Sequence, residues 1–360
     1  ILEGVARHGD VEAGLAKSDL VYQDSYRTQA VHQGFIEPHA ALASVDGQGK
    51  ATIWSSTKAP FTVRSMVAQA LQFPLSHIRV IVPAVGGDFG GKGTAYIEPI
   101  ALLLARKSGF PVKLVLNQQE ELTSTFVRES SFIELVLGAR KDGTFLALKG
   151  WIVFDSGAYS DLVRTVDNDL MLLAGPYRIP HVELRGYRVY TNNIPRGHVR
   201  APIGPQPIFA IESHIDGLAG KLGLDPVEIR LKNGVEGGDA MPGKGPTLKG
   251  VCFKPTLHAL AGYLKQEKGP REKNKGWGVA CGAWGLNPVT GNVGPASSAW
   301  VKINEDGTVV LITGVTDSGG GQYGILAQIV AEILSIPPDS IVVIAADTDC
   351  TPYELGTGGS

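Results

Sequence analysis

Two stretches far apart in this chain follow one plan, and that echo constrains the fold more than any single motif. Residues 67–73 read as the end of an apolar helix, Pro74 stops it, and Ser76-His77 leads into the apolar run Ile78-Arg79-Val80-Ile81. Residues 330–336, then Pro337, Asp339-Ser340 and Ile341-Val342-Val343-Ile344, repeat the order. Proline lacks the N–H that a helix interior needs, so each helix ends where its proline stands. A strand precedes each helix, Ala51–Ser55 in one copy and Val309–Thr313 in the other. A repeat at this separation means two similar lobes and not a solenoid. Helix–proline–strand is also a common order in α/β proteins, so duplication is an expectation for the structure to test.

Elsewhere the pattern reads as strands and hairpins. Residues 132–137 and 145–154 are β-like runs around the turn signal Arg140-Lys141-Asp142-Gly143. Residues 302–304 and Val309–Thr313 flank a second turn, Glu305-Asp306-Gly307. A long helix is expected over residues 205–221, and Asp225-Pro226 opens a shorter one through Lys232, with proline at the first helical position. The segment 234–250 holds Gly237-Gly238, Pro242-Gly243 and Gly245-Pro246 and is the best linker; a basic stretch spans 269–275. The domain boundary is placed near residue 250, giving a first domain over 1–250 and a second over 251–360.

The most concentrated motif is Val85-Gly86-Gly87-Asp88-Phe89-Gly90-Gly91-Lys92-Gly93. It follows the strand-like run 78–82 and precedes an apolar run over 95–107 with helical spacing. Glycine lets backbone N–H groups approach an anion closely, and a helix start behind them favours negative charge. Gly86, four residues, then Gly91-Lys92 matches most of a P-loop, with Asp347 after the apolar run 341–346 as a magnesium ligand. Gly93 stands where that motif needs Ser or Thr, and Phe89 is unusual in a phosphate cradle. The loop reads as a cofactor cradle, a nucleotide site or a plain turn.

Two more loops enter helices. Arg196-Gly197-His198-Val199-Arg200-Ala201-Pro202-Ile203-Gly204-Pro205-Gln206 is a rigid, positively charged turn. It suits an anion, or a helix entry whose arginines pair with carboxylates. Asp317-Ser318-Gly319-Gly320-Gly321-Gln322-Tyr323 occupies the place in the second lobe that Thr57-Lys58-Ala59-Pro60 occupies in the first. Several such loops suit one large, anionic, multi-part ligand better than a single phosphate.

Composition narrows the classes. The 360 residues carry 33 Lys and Arg against 35 Asp and Glu, a net charge of −2, which gives no footprint for nucleic acid or an acidic membrane. No run of 18 apolar residues is present, so no membrane-spanning helix is expected. The three cysteines, Cys252, Cys281 and Cys350, form neither a metal pattern nor a disulfide framework, which points to a reducing, cytoplasmic setting. His32 and His39 flank Glu37, but Pro38 prevents a helical ligand face; hydrogen-bonded core or loop roles fit better than a metal. No nucleophile motif is present. The chain begins at Ile1 and stops at Thr357-Gly358-Gly359-Ser360 directly after a strand, and a piece of a longer polypeptide is expected.

These pieces, in this order, resemble the molybdopterin-binding large subunit of the xanthine oxidase/aldehyde oxidase family, the molybdenum hydroxylases. The resemblance rests on Gln33 through Glu37-Pro38-His39, on Gly86 to Lys92, on Val199-Arg200 to Pro205-Gln206, and on Asp317 to Gln328. It covers nearly the whole chain. It implies an α+β fold with two molybdenum-cofactor domains, built as similar α/β lobes with mixed sheets. It implies a molybdopterin cofactor, whose nucleotide form these residues do not fix, held without direct side-chain ligation of the metal. The implied reaction hydroxylates an aldehyde or N-heteroaromatic small molecule with oxygen from water. The implied partners are iron–sulfur (2Fe-2S) and flavin (FAD) subunits or domains, in a dimeric complex.

By the same resemblance, contacts near the metal fall on Phe89 with Gly90, on Arg200 and on Gly359. Lys58 stands where the family has a glutamine beside the metal's oxo group. Gly320 stands at the glutamine of the family's Gly-Gln-Gly loop, with Gln322 two places on as a substitute. Gly93, Asn168 and Pro202 fall at the purine-directed glutamate, the purine-directed arginine and a substrate-stacking phenylalanine, which argues against xanthine as substrate. The catalytic glutamate is expected beyond Ser360, so this piece alone is expected to be inactive and to hold cofactor weakly. Besides the nucleotide-hydrolysis alternative, a non-catalytic scaffold that keeps the family fold is the other reading.

Overall fold

A computed structural model describes residues 1–159, 166–240, 247–266, 273–283 and 297–358. In chain order the strands are β1 (Leu2–His8), β2 (Leu20–Thr28), β3 (Ala40–Val45), β4 (Ala51–Ser55), β5 (Ile78–Ile81), β6 (Val112–Val115), β7 (Ser131–Ala139), β8 (Phe145–Asp155), β9 (His181–Val189), β10 (Ala299–Ile303), β11 (Val309–Thr313) and β12 (Ile341–Ala345). The helices are α1 (Val11–Ala16), α2 (Pro60–Leu71), α3 (Glu98–Ser108), α4 (Gln118–Ser124), α5 (Asp167–Ala174), α6 (Pro205–Leu222), α7 (Pro226–Asn233), α8 (Phe253–Gln266) and α9 (Gln322–Leu334). The chain forms two compact units that interleave along the sequence. One comprises residues 1–31, 128–196 and 201–290; the other comprises 32–127, 197–200 and 291–360.

The first unit is a five-stranded mixed sheet in the order β1-β9-β8-β7-β2, with β8 and β9 the one parallel pair. Period-two alternation on β7 buries Ile133, Leu135 and Leu137 completely, and they pack with Ile211, Ile215 and Leu218 of α6. The expected hairpin between β7 and β8 is present: Gly143 takes φ +83° in its turn, and the Arg140 N–H donates to the Thr144 carbonyl. α6 starts on Pro205 and ends on Gly223 in the left-handed conformation. Asp225 caps α7 by accepting from the Val227 and Glu228 N–H groups. Val235 and Leu248, near the two ends of the expected linker, are buried in one small cluster, so its described ends pack on each other. Residues 241–246, and 267–272 of the basic stretch, lie outside the described residues.

The second unit contains the duplication in full hydrogen-bonded detail. In the first copy β3 and β4 form a hairpin, α2 follows, and β5 pairs parallel to β4. In the second copy β10 and β11 form a hairpin, α9 follows, and β12 pairs parallel to β11. The registers agree: Ala51 lies opposite Ile78 as Val309 lies opposite Ile341. Both helices end on a left-handed non-glycine residue, Gln72 (φ 51°) and Ser335 (φ 55°), followed by a proline and one 3-10 turn. Both hairpins turn on a left-handed glycine, Gly49 (φ 77°) and Gly307 (φ 83°).

The first copy carries two more elements, α3 and β6. β6 extends the sheet to the order β5-β4-β3-β6, antiparallel to β3, and α3 packs on β3 and β6 beside α2. α3 begins at Glu98, later than the apolar run suggested. The Glu98 carboxylate accepts from the Tyr96 N–H at 2.7 Å and from the Ser55 hydroxyl at 2.6 Å, which holds the preceding residues as loop. No helix among the described residues is long and apolar enough to cross a membrane.

Candidate functional site

The glycine loop leaves β5 and is held from inside. Glu37 accepts from the Gly86 N–H and from the Lys92 ammonium, both at 2.7 Å. Lys92 is fully buried, and its ammonium also lies 4.7 Å over the Phe35 ring. Asp88 accepts from the Gly90 N–H at 2.8 Å and the Lys92 N–H at 2.7 Å. These contacts correct the nucleotide reading. The lysine that would reach a phosphate is spent on Glu37, and two of the N–H groups that would cradle it are spent on Asp88. The proposed magnesium ligand is also committed, since Asp347 takes a two-point ion pair from Arg79 at 2.9 and 2.5 Å.

With its base fixed, the loop presents its tip. Phe89 sits at φ +46° and is about half exposed, a conformation rare for a bulky residue. Gly90 follows at φ +104°, where a Cβ would stand 2.7 Å from the His198 carbonyl oxygen, so only glycine fits. That close approach brings in the second expected loop: the Arg200 N–H donates to the Phe89 carbonyl at 2.7 Å, and Gln33 Nε2 donates to the His198 carbonyl at 2.8 Å.

The other loops of this unit join in one chain of hydrogen bonds. The Lys92 carbonyl accepts from the Lys58 N–H at 3.0 Å and the Thr57 hydroxyl at 2.8 Å. The Lys58 carbonyl accepts from the Thr357 N–H at 3.1 Å. The Thr357 hydroxyl accepts from the Thr316 N–H at 2.9 Å and donates to the Thr316 carbonyl at 2.7 Å. The loops around residues 58, 92 and 357, and those around 89 and 200, are thereby tied backbone to backbone, and the Thr357 hydroxyl ties in the loop at 316. Lys58 points its ammonium into this junction, 3.6 Å from Asp88 Oδ2, and its Cε would lie 3.0 Å from a Cβ on Gly93.

At the second repeat's helix start, Asp317 accepts from the Gly319 N–H at 2.8 Å and the Gly321 N–H at 3.3 Å. Gln322 folds back so that its Nε2 would meet a Cβ on Gly320 at 2.5 Å, so Gly320 and Gln322 form one feature. Among the described residues of this unit, six buried polar atoms have no protein partner: Gln33 Oε1, His39 Nε2, Arg64 Nε, Thr316 Oγ1, Gln322 Oε1 and Glu354 Oε2. Buried polar atoms are normally paired, so orphaned atoms on loops of this kind suit a polar ligand. Thr57, Asp88, Thr316, Thr357 and Glu354 were not legible as site residues, because hydroxyls and carboxylates in loops carry no spacing signal.

The remaining expected site residues divide. Asn168 is the second residue of α5, in the other unit, and its side chain lies outside the described residues. Pro202 is half-buried in that same unit, and Gly359 lies outside the described residues. Arg196 follows the helix-entry reading: it pairs with the buried Glu129 at 3.3 Å, and Arg188 pairs with the same carboxylate at 2.9 Å. His32 and His39 are hydrogen-bonded core groups. His39 Nδ1 bonds the Glu121 carboxylate at 2.9 Å, and His32 Nε2 bonds the Thr125 hydroxyl at 2.9 Å. Burial pushes the Glu121 carboxyl up, but the bonds from the His39 ring and backbone outweigh it and hold the group below its ordinary value. Burial also lowers His32, against the pull of Glu121.

Comparison with known proteins agrees with this layout. Models of the molybdopterin cofactor-binding domain match residues 2–234 and, for a second such domain, 256–360. The xanthine dehydrogenase molybdenum-binding subunit of Escherichia coli O157:H7 is 33% identical over 372 residues, covering 98% of this chain and 48% of that protein. The carbon monoxide dehydrogenase large chain of Afipia carboxidovorans is 30% identical, covering 97% of this chain and 47% of that protein. Quinoline 2-oxidoreductase from Pseudomonas putida 86 superposes with a TM-score of 0.85 at 27% identity, over 99% of this chain and 48% of that one. The aldehyde oxidoreductase from Desulfovibrio desulfuricans gives 0.86 at 26%, over 99% and 40%. The chain therefore spans about half the length of the curated relatives it matches. With both cofactor-binding models matched along almost its entire length, the chain belongs to the molybdopterin cofactor-binding family of the xanthine dehydrogenase and aldehyde oxidoreductase type.

Proposed function

We propose that this chain holds the molybdopterin of an oxidoreductase that hydroxylates an aldehyde or an N-heteroaromatic compound, with oxygen taken from water. The observation that carries the reading is the hydrogen-bonded junction of loops around Lys58, Phe89, Arg200, Thr316 and Thr357. An anionic, many-armed cofactor asks for polar atoms on several loops fixed relative to each other. The unpaired Gln33 Oε1, Gln322 Oε1 and Thr316 Oγ1 supply acceptors and a donor of that kind. Lys58, Phe89, Gly90, Arg200, Gly320, Gln322 and Gly359 are assigned to the cofactor, with Phe89, Arg200 and Gly359 on its metal side. The cofactor supplies the redox chemistry when bound; the chain fixes its orientation.

By resemblance to the family, Gly93, Asn168 and Pro202 are each assigned a substrate-directed role, and Lys58 a cofactor-side one. Gly93 and Pro202 offer no charge to a purine, whereas Lys58 offers a cation to an acidic substrate. Electrons would leave through iron–sulfur and flavin partners, and the general base would come from the longer protein. The test is the whole complex purified with its partners. Near-unit molybdenum, and heavy-isotope oxygen from labelled water in the hydroxylated product, are expected. Loss of either rejects the reading. Full molybdenum without turnover on any aldehyde or N-heterocycle supports a scaffold instead, the reading that Lys58 and Gly320 favour. The 360-residue chain alone is expected to show no turnover and weak cofactor retention; near-unit molybdenum in it would sink that expectation.

A further inference from the structure

Period-two alternation gives the five-stranded sheet of the first unit two faces. α6 covers the one that carries Ile133, Leu135 and Leu137. On the opposite face α1 packs on the end near Ala147, so closely that a Cβ on Gly14 would meet that side chain at 2.8 Å. The far end of this second face, where β2, β8 and β9 finish and β7 begins, holds a cleft of about 400 Å³. The ladders set its lining. Arg27, Phe132 and Val153 form one row across β2, β7 and β8, and Asp155 and Val189 continue the same face on β8 and β9.

The two charged groups of the cleft are not equivalent. Arg27 Cζ lies 5.0 Å over the Phe132 ring, and among the described residues its guanidinium makes no hydrogen bond or ion pair. The Phe132 ring is itself held 5.1 Å from Trp151, whose Nε1 donates to Glu134 at 3.1 Å. A guanidinium resting on a ring keeps its in-plane N–H groups for a carboxylate. Asp155 is already engaged. Its Oδ1 accepts from the Thr191 hydroxyl at 2.6 Å and the Gly157 N–H at 3.0 Å, and its Oδ2 from the Asn193 amide at 2.5 Å. It also stands two strands away from Arg27, roughly 10 Å at the usual sheet spacing. Between the two lie the apolar side chains of Phe132 and Val153. We propose that the cleft binds a small aromatic carboxylate, with its charge on the Arg27 fork and its ring on Phe132 and Val153. The volume lies in the lower part of the range of small-molecule sites, which suits a single ring. A bare phosphate would take the guanidinium but leave the apolar floor uncovered. The inference does not rest on the cofactor reading.

Fluorine NMR of para-fluorobenzoate titrated with the whole protein tests it. Saturable binding in the millimolar range or tighter is expected. Arg27→Gln should weaken it at least ~10-fold, the loss of a charge-assisted pair, while melting temperature and molybdenum content stay as they are. The uncharged para-fluorobenzamide and the non-aromatic fluorocyclohexanecarboxylate should each bind at least ~10-fold more weakly than the benzoate. Lys58→Gln should leave benzoate affinity unchanged, since that ammonium belongs to the other unit. Absence of saturable binding overturns the proposal, as does equal affinity in Arg27→Gln or for either analogue. Loss of binding in Lys58→Gln assigns the anion to the cofactor loops, and also overturns it.

Discussion

The backbone N–H of Arg200 donates to the carbonyl of Phe89 at 2.7 Å, although the two residues are far apart in sequence. Phe89 holds a left-handed backbone to offer that carbonyl, and Gly90 holds φ +104° to let the His198 backbone pass. The strained tip of the glycine loop and the Arg200 turn are thus one structure.

Gly90→Ala should break that structure. The new Cβ meets the His198 carbonyl oxygen at 2.7 Å in a backbone conformation L-residues avoid. A loss of about 1–3 kcal/mol is expected from strain of this kind, read as a lower chemical-denaturation midpoint. Molybdenum retained by the whole protein should fall with it, and unchanged stability and metal content would contradict the assignment.

Lys92→Met tests whether the lysine of the loop is structural. Removing it leaves Glu37 facing the site without its cation, at 2.7 Å in the intact pair. Because Glu37 is one-third exposed, the cost should be about 2 kcal/mol, below that of a fully buried pair. Adding Glu37→Gln should recover part of it, measured by a double-mutant cycle in urea. Calorimetry with magnesium ATP on the unaltered protein should show no binding.

Lys58→Gln removes the cation of the junction while keeping a polar side chain. Its ion pair with Asp88 is long, at 3.6 Å, so stability should change by less than about 1 kcal/mol. For the whole enzyme, KM for carboxylate-bearing substrates should rise about tenfold, equal to about 1.4 kcal/mol, with neutral aldehydes unaffected. Equal effects on both substrate classes would place the ammonium away from the pocket.

His214 gives the first unit a pH dependence. It is buried, accepts from the Tyr26 hydroxyl at 2.9 Å on Nδ1 and donates from Nε2 to the Tyr22 carbonyl at 3.1 Å. Burial lowers its pKa to about 4. The unfolded chain takes up a proton near pH 6.5 while the folded one resists until about pH 4, so stability falls as pH drops through this window. The loss is about 3 kcal/mol for a shift of this size. Melting temperatures from pH 7 to pH 4 should show it, and His214→Gln should flatten that limb.

Much of this was written in local chemistry. The strands Ala51–Ser55 and Val309–Thr313, the helix stops at Pro74 and Pro337, and the starts at Pro205 and Pro226 follow from apolar period and from the backbone limits of proline. These signals act within a few residues, so one sequence carries them. β3 was not anticipated, because its small residues Ala40-Ala41-Leu42-Ala43 fit a helix as well as a strand, and only pairing with β4 and β6 decides. The order of motifs was enough to indicate the cofactor family.

What the sequence could not decide is where charges and carbonyls are spent. Lys92 reads as a phosphate ligand until Glu37 is found beneath it, and Asp347 as a metal ligand until Arg79 is found beside it. Thr357 and Thr316 carry no pattern, yet they tie the second repeat's loops to Lys58. Such pairings join residues far apart in the chain, and a side chain's role depends on its partner at a few ångströms. Periodicity and turn chemistry fix the elements, whereas only the tertiary structure sets which polar groups are satisfied and which remain for a ligand.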